Sequence, residues 1–139
     1  MKKIGLLLLL ISSMYAKSLP FLDNYDEAMK VAKKEKKDVM LVVVSTTCPW
    51  CRRYKQKTLT NSSVQKAILD NYIVLMLNKD IDEMRDDLRA RLVPTTFFLD
   101  SSGEEFYSAI GYRTVKQLKI DLVDAQDIKN MEDIDIDEE

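Results

Sequence analysis

Two unbroken apolar runs, Val39 to Val44 and Tyr72 to Leu77, stand out in a chain whose other apolar residues mostly recur at spacings of three or four. Each run is too short for a typical helix and shows no polar alternation, so each predicts a strand buried on both faces. Thr95 to Leu99 and Glu105 to Ile110, separated by Asp100-Ser101-Ser102-Gly103, predict two further strands joined as a hairpin. Helical periodicity fills the intervals. Ala28, Met29, Val31 and Ala32 form one stripe, with acids at its start and Lys33, Lys34, Lys36 and Lys37 at its end, as the helix dipole favours. Val64, Ala67 and Ile68 mark a helix from about Ser63 to Asp70, capped by Asn61 or Ser62. Ile81, Met84, Leu88 and Leu92 predict a charged surface helix over 80–91, and Val115, Leu118, Leu122 and Ala125 a closing helix from Thr114 to about Ile128. The predicted class is α/β, with a parallel portion and an antiparallel hairpin.

The ends of the chain carry a different pattern. Lys2 and Lys3 precede the apolar run Ile4 to Ile11, and Ala16 closes a short stretch of small and polar residues. That is the form of a secretory signal peptide over residues 1–16, too short to span a bilayer; an uncleaved anchor is the alternative. Without it the chain keeps 19 basic and 23 acidic residues, a net charge of −4, and 123 residues, enough for one domain over 17–129. Six acids crowd the last eight positions, so residues 130–139 are predicted as a solvated, disordered tail. No basic stripe of the kind that binds a phosphate backbone is present, and nucleic acid is not an expected partner.

Both cysteines of the chain lie in Ser45-Thr46-Thr47-Cys48-Pro49-Trp50-Cys51, and the chain contains no histidine. A bridge between Cys48 and Cys51 closes so small a loop that it constrains the unfolded chain very little, which makes a purely structural staple a poor reading. Zinc takes about four cysteine or histidine ligands, so a metal site would need a second copy of the chain. A reactive dithiol is the leading alternative, and it requires no cofactor. Pro49 suits the first position of a helix, which puts Cys48 at the N-cap, where a thiolate is favoured by unpaired amides, and Cys51 one turn inside. Arg52, Arg53 and Lys55 either add positive charge near the thiols or form a solvated helical face, and Tyr54 is read as core.

Taken together, VVVSTTCPWCRRYK, LVPTTFFLDSSGE, AIGY and the closing helix resemble the thioredoxin superfamily over roughly residues 21–127. The likeness is to its periplasmic thiol-disulfide oxidoreductases, in particular the sulfur-oxidation thioredoxins and the C-terminal domain of the transmembrane disulfide reductase. It implies a thioredoxin fold, a central mixed sheet flanked by helices. It also implies that Cys48 is the nucleophile, Cys51 the resolving cysteine and Pro94 a cis-proline that presents the backbone of Val93 to substrate. Trp50 either joins that substrate platform or covers apolar surface. Implied partners are protein thiols and disulfides and a membrane-embedded redox protein, with the chain acting as a periplasmic monomer.

Two departures from the family pattern affect the chemistry. Many thioredoxins carry a buried acid six residues before the nucleophile, and this chain has Val42 there, so Cys51 is expected to hold its proton to higher pH than in acid-bearing relatives. Strongly oxidising members carry histidine inside the motif, and its absence here favours a reductase. The alternatives are a dithiol oxidase with the same residues, and a peptide-binding or chaperone-like module that does not use the thiols.

Overall fold

The computed structural model describes residues 18–136. The expected signal peptide, residues 1–16, lies outside the described residues. Four strands form one mixed sheet in the order β2-β1-β3-β4. β1 (Asp38–Val44) runs parallel to β2 (Tyr72–Asn78) and antiparallel to β3 (Thr95–Leu99), which turns back into β4 (Glu105–Ile110). The parallel pair needs a crossover, and α2 (Pro49–Arg53) and α3 (Ser62–Asn71) supply it. α1 (Tyr25–Glu35) precedes the sheet and α4 (Val115–Ile136) closes the chain.

β1 explains the three-layer arrangement. Met40, Val42 and Val44 face one apolar cluster with residues of α2, α3 and α4, whereas Val39, Leu41 and Val43 face a second cluster with Ala28, Met29 and Ala32 of α1. Period-two alternation in an all-apolar strand therefore serves both faces at once. The helix ends follow from local chemistry. Asn24 caps α1 by accepting from Glu27 N–H, and Asn61 caps α3 by accepting from Ser63 and Val64 N–H. Thr114 and Gln117 form a reciprocal capping box at the start of α4.

Three segments differ from expectation. Over 80–91 there is no continuous helix, only a short 3-10 turn at Asp86–Leu88. Polar side chains tie the segment down instead: Lys79 donates to the carbonyls of Ala90 and Arg91, Asp82 accepts from Asn78 N–H, and Arg85 reaches across to the carbonyl of Gly103. Leu88 is buried, but Ile81 and Leu92 are exposed, so their helical spacing does not describe one buried face. Second, α2 widens into a π-helical turn at Tyr54–Thr58, closed by Leu59 N–H donating to the Tyr54 carbonyl at 3.1 Å. Third, α4 runs on to Ile136, so the acidic stretch predicted as a disordered tail is helical over 130–136. Lys129 pairs with Asp133 one turn along that extension.

The β3–β4 turn is held by Asp100, whose carboxylate accepts from the Ser102 hydroxyl and from Ser102 and Glu104 N–H. Partial burial pushes its carboxyl up, but these hydrogen bonds together outweigh it and hold the group below the usual carboxylate range. A folded-state pKa below the unfolded value adds stability above the unfolded pKa, and that stability is lost as pH falls through the folded one. Asp100→Ala is therefore expected to lower stability at pH 7 and to flatten the loss between about pH 5 and pH 2 in urea titrations. An unchanged pH slope in that variant would show that the turn is held by something else.

Candidate functional site

The carboxyl end of β1 delivers the chain into Ser45, Thr46 and Thr47, and then into the cysteine pair. Cys48 has extended backbone, φ −137° and ψ 96°, and occupies the N-cap of α2 with Pro49 in the first turn, as its sequence predicts. Its Sγ accepts from the N–H of Cys51 at 3.1 Å, an arrangement that favours negative charge on this sulfur when the pair is reduced. Cys48 and Cys51 form a disulfide with Cα atoms 5.2 Å apart. Both residues are well covered, Cys48 at 6% exposure and Cys51 at 2%.

Across from the pair, the Val93–Pro94 peptide bond is cis. The Val93 carbonyl oxygen lies 3.8 Å from Cys48 Sγ, a packing contact in the disulfide state because that sulfur carries no hydrogen. Hydrogen bonds anchor the segment on both sides: Thr95 Oγ1 donates to the Leu92 carbonyl at 2.8 Å, and Gly111 N–H to the Pro94 carbonyl at 2.7 Å. Gly111 has φ +88°, a conformation that side-chain-bearing residues rarely adopt. The fold thus brings Cys48, Cys51, Val93 and Pro94 together from positions more than 40 residues apart.

On the inner side, Val42 is fully buried and pairs across the sheet with Thr96. Where many relatives place an acid, this chain stacks a valine beside a hydroxyl pair, since Tyr54 Oη and Thr96 Oγ1 share a hydrogen bond of 3.1 Å. Burial drives the Tyr54 hydroxyl far up from its ordinary value, only partly opposed by the bond to Thr96, so it stays neutral. Tyr54 is core, as expected from sequence, with its one polar atom satisfied.

On the outer side, Trp50 and Arg53, both weighed from sequence, are joined by Tyr112, which sequence reasoning gave no role. Trp50 is 54% exposed and stacks on Tyr112 at a centroid distance of 5.5 Å. The Arg53 guanidinium lies 5.5 Å from both ring centres. Tyr112 follows Gly111 in the AIGY stretch, and the loop bearing it is tied to the π-helical turn by Thr58 Oγ1 donating to the Arg113 carbonyl at 2.6 Å. Behind it, Arg113 and the buried Asp121 of α4 form an ion pair at 3.0 Å, and Tyr107 donates to the other Asp121 oxygen. Asp121 stands three residues after Leu118, on the buried face of the stripe, where its charge is met by Arg113 and its other oxygen by Tyr107.

A parallel-plus-hairpin sheet with a disulfide at the N-terminus of the following helix, facing a cis-proline, is the architecture of a thioredoxin fold. Residues 25–126 match the thioredoxin-like domain family, and the chain belongs to that family. Among solved structures it is similar to a thioredoxin from Thermus thermophilus (24% identity, TM-score 0.68, 78% of this chain and 87% of that one). It is also similar to a candidate disulphide-isomerase from Bacteroides thetaiotaomicron (25% identity, TM-score 0.66, 76% and 91%). The oxidised C-terminal domain of Neisseria meningitidis DsbD shares the fold (17% identity, TM-score 0.56, 81% and 97%). Curated relatives match shorter stretches. The chain is 32% identical over 54 residues to mouse spermatogenesis-associated protein 20, and 28% identical over 69 residues to an uncharacterized protein of Archaeoglobus fulgidus. These alignments span 39% and 50% of this chain, and 7% and 51% of the relatives' own length.

Proposed function

We propose that this chain is an exported thiol-disulfide oxidoreductase that works on protein disulfides, chiefly as a reductase. The observation that carries it is the Cys48–Cys51 disulfide on a helix N-terminus, with its outer sulfur against the Val93 carbonyl. In the reduced protein, the Cys48 thiolate attacks one sulfur of a substrate disulfide; the other leaves as a thiolate and takes a proton from solvent. Cys51 then gives its proton to solvent and attacks Cys48 Sγ, which releases the second substrate sulfur as a thiolate that takes a proton from solvent in turn. Two electrons pass from the dithiol to the substrate, and with Cys48 starting as thiolate one net proton is taken from solvent. Val93 and Pro94 guide an extended substrate segment alongside the pair, and Trp50 forms part of the platform. The Lys2–Lys3 start and its apolar run support export to the periplasm, where a membrane-embedded dithiol partner would restore the reduced state of a monomeric enzyme.

Direction is read from the potential of the couple. Mature protein (residues 17–139), equilibrated against dithiothreitol or glutathione buffers with its thiols counted, is expected to give a value near that of thioredoxin, about −270 mV. A value well above the glutathione couple would make it an oxidase. Failure to form the intramolecular disulfide would overturn both.

A further inference from the structure

The charge around the dithiol is one-sided. Between Asp38 and Asp70 the chain has no acid at all, yet Arg52, Arg53, Lys55 and Lys57 are exposed on α2 and the π-helical turn. Among the described residues, none of these four makes an ion pair with a carboxylate. On the other flank, the segment leading into Val93–Pro94 carries Arg89 and Arg91. Arg89 donates to the Lys79 carbonyl and Lys79 to the carbonyls of Ala90 and Arg91, so two cations, Arg89 and Lys79, are held in place by neutral groups, while the Arg91 side chain is exposed beside them.

Between that segment and the hairpin lies a groove of about 590 Å³, lined by Arg89, Arg91, Leu92, Thr95, Phe97 and Ile110 among others. Leu92 and Ile110 are 66% and 60% exposed. The groove begins at the residues on either side of Val93–Pro94, so a strand laid beside Val93 would continue over it. Of the nearby acids, Asp87, also in the lining, pairs with Arg85, while Asp80 and Asp82 are turned to Thr46 N–H and Asn78 N–H, from which they accept without losing their charge.

We propose that this face selects partners whose reactive cysteines lie in an extended segment combining acidic and apolar side chains. The apolar residues would lie over Leu92 and Ile110, and the carboxylates would meet Arg91 on one side and the Arg53–Trp50–Tyr112 stack on the other. A neutral partner that covers cations lacking local counter-ions incurs their desolvation cost, whereas a carboxylate partner gives them a charge-assisted hydrogen bond and speeds encounter. The inference rests on the dithiol exchange proposed above and names the chemistry of its partner.

Its test uses three synthetic peptides of equal length, each with one internal disulfide, flanked by Glu, Gln or Lys. Reduced mature protein is mixed with each and oxidation is followed through Trp50, the single tryptophan. At low ionic strength the Glu peptide is expected to react about tenfold faster than the Lys peptide, with Gln between. In roughly 0.5 M salt the difference is expected to shrink to about twofold. Arg91→Gln and Arg53→Gln should each lower the Glu-to-Gln rate ratio by about 1.5-fold or more, while Lys66→Gln, a cation paired with Asp70, should not move it. Equal rates for the three peptides at low salt, or a ratio insensitive to both arginine variants, overturn the inference. If even the Gln peptide is not reduced, it is the exchange activity itself that fails.

Discussion

Cys48→Ser is expected to cut thiol-disulfide exchange by about a thousandfold or more, and Cys51→Ser to accumulate a stable mixed disulfide with substrate. The asymmetry follows from geometry. Cys48 is at the N-cap, accepts the Cys51 N–H and lies against Val93, so it is the sulfur that a substrate reaches first. A serine hydroxyl there supplies no anion at neutral pH, and the other cysteine is 2% exposed. With Cys51 replaced, the first attack proceeds but nothing can displace the substrate from Cys48. Non-reducing electrophoresis and mass analysis after mixing with a disulfide substrate read both outcomes. Trapping by Cys48→Ser instead of Cys51→Ser would reverse the assignment of the two roles. Retention of the biological role by Cys48→Ser would favour a binding module that leaves its thiols unused.

Phe98→Ala is expected to lower the free energy of unfolding by about 3–5 kcal/mol, a large part of the ~5–15 kcal/mol that holds a domain of this size. Phe98 is fully buried on β3 and sits opposite Met40 of β1. Its ring meets Tyr72 edge-on at 5.2 Å and Tyr107 at 5.6 Å, so it joins β1, β2 and β4 in one aromatic cluster beneath α4. Removing the ring leaves a cavity walled by strands that cannot close on it. Phe98→Leu, which keeps most of the volume, should cost under ~1.5 kcal/mol. Urea midpoints for the two variants in oxidised protein check the contrast, and a loss below ~1 kcal/mol for the alanine would show that the cluster relaxes around the gap.

The strands were readable because each is specified by its own residues. Thr95–Leu99 and Glu105–Ile110 fall where composition and the turn residues put them, and the N-cap role of Cys48 follows from the proline after it. The 80–91 segment was misread because four apolar residues at helical spacing outweighed Asn78, Asp80 and Asp82, whose side chains compete for backbone amides. Residues 130–136 differ from expectation for another reason. Their charge pattern resembles a solvated tail, yet they continue a helix already nucleated and packed at Leu118, Leu122 and Ala125, and propagation costs far less than nucleation.

By itself, then, the sequence determined the buried strands, the helix that opens at the cysteines and the absence of an acid at position 42. All of these are local matters of periodicity, capping and residue identity. Only the tertiary structure decided what surrounds the dithiol. The Arg53–Trp50–Tyr112 stack, the Tyr54–Thr96 hydroxyl pair, the Arg113–Asp121 ion pair and the groove beside Val93 each join residues 8 to 62 positions apart, or more than one element at once. Such contacts depend on how β3 and β4 lie against β1 and on how the Gly111 loop turns toward α2, and no periodicity within a single element encodes that placement.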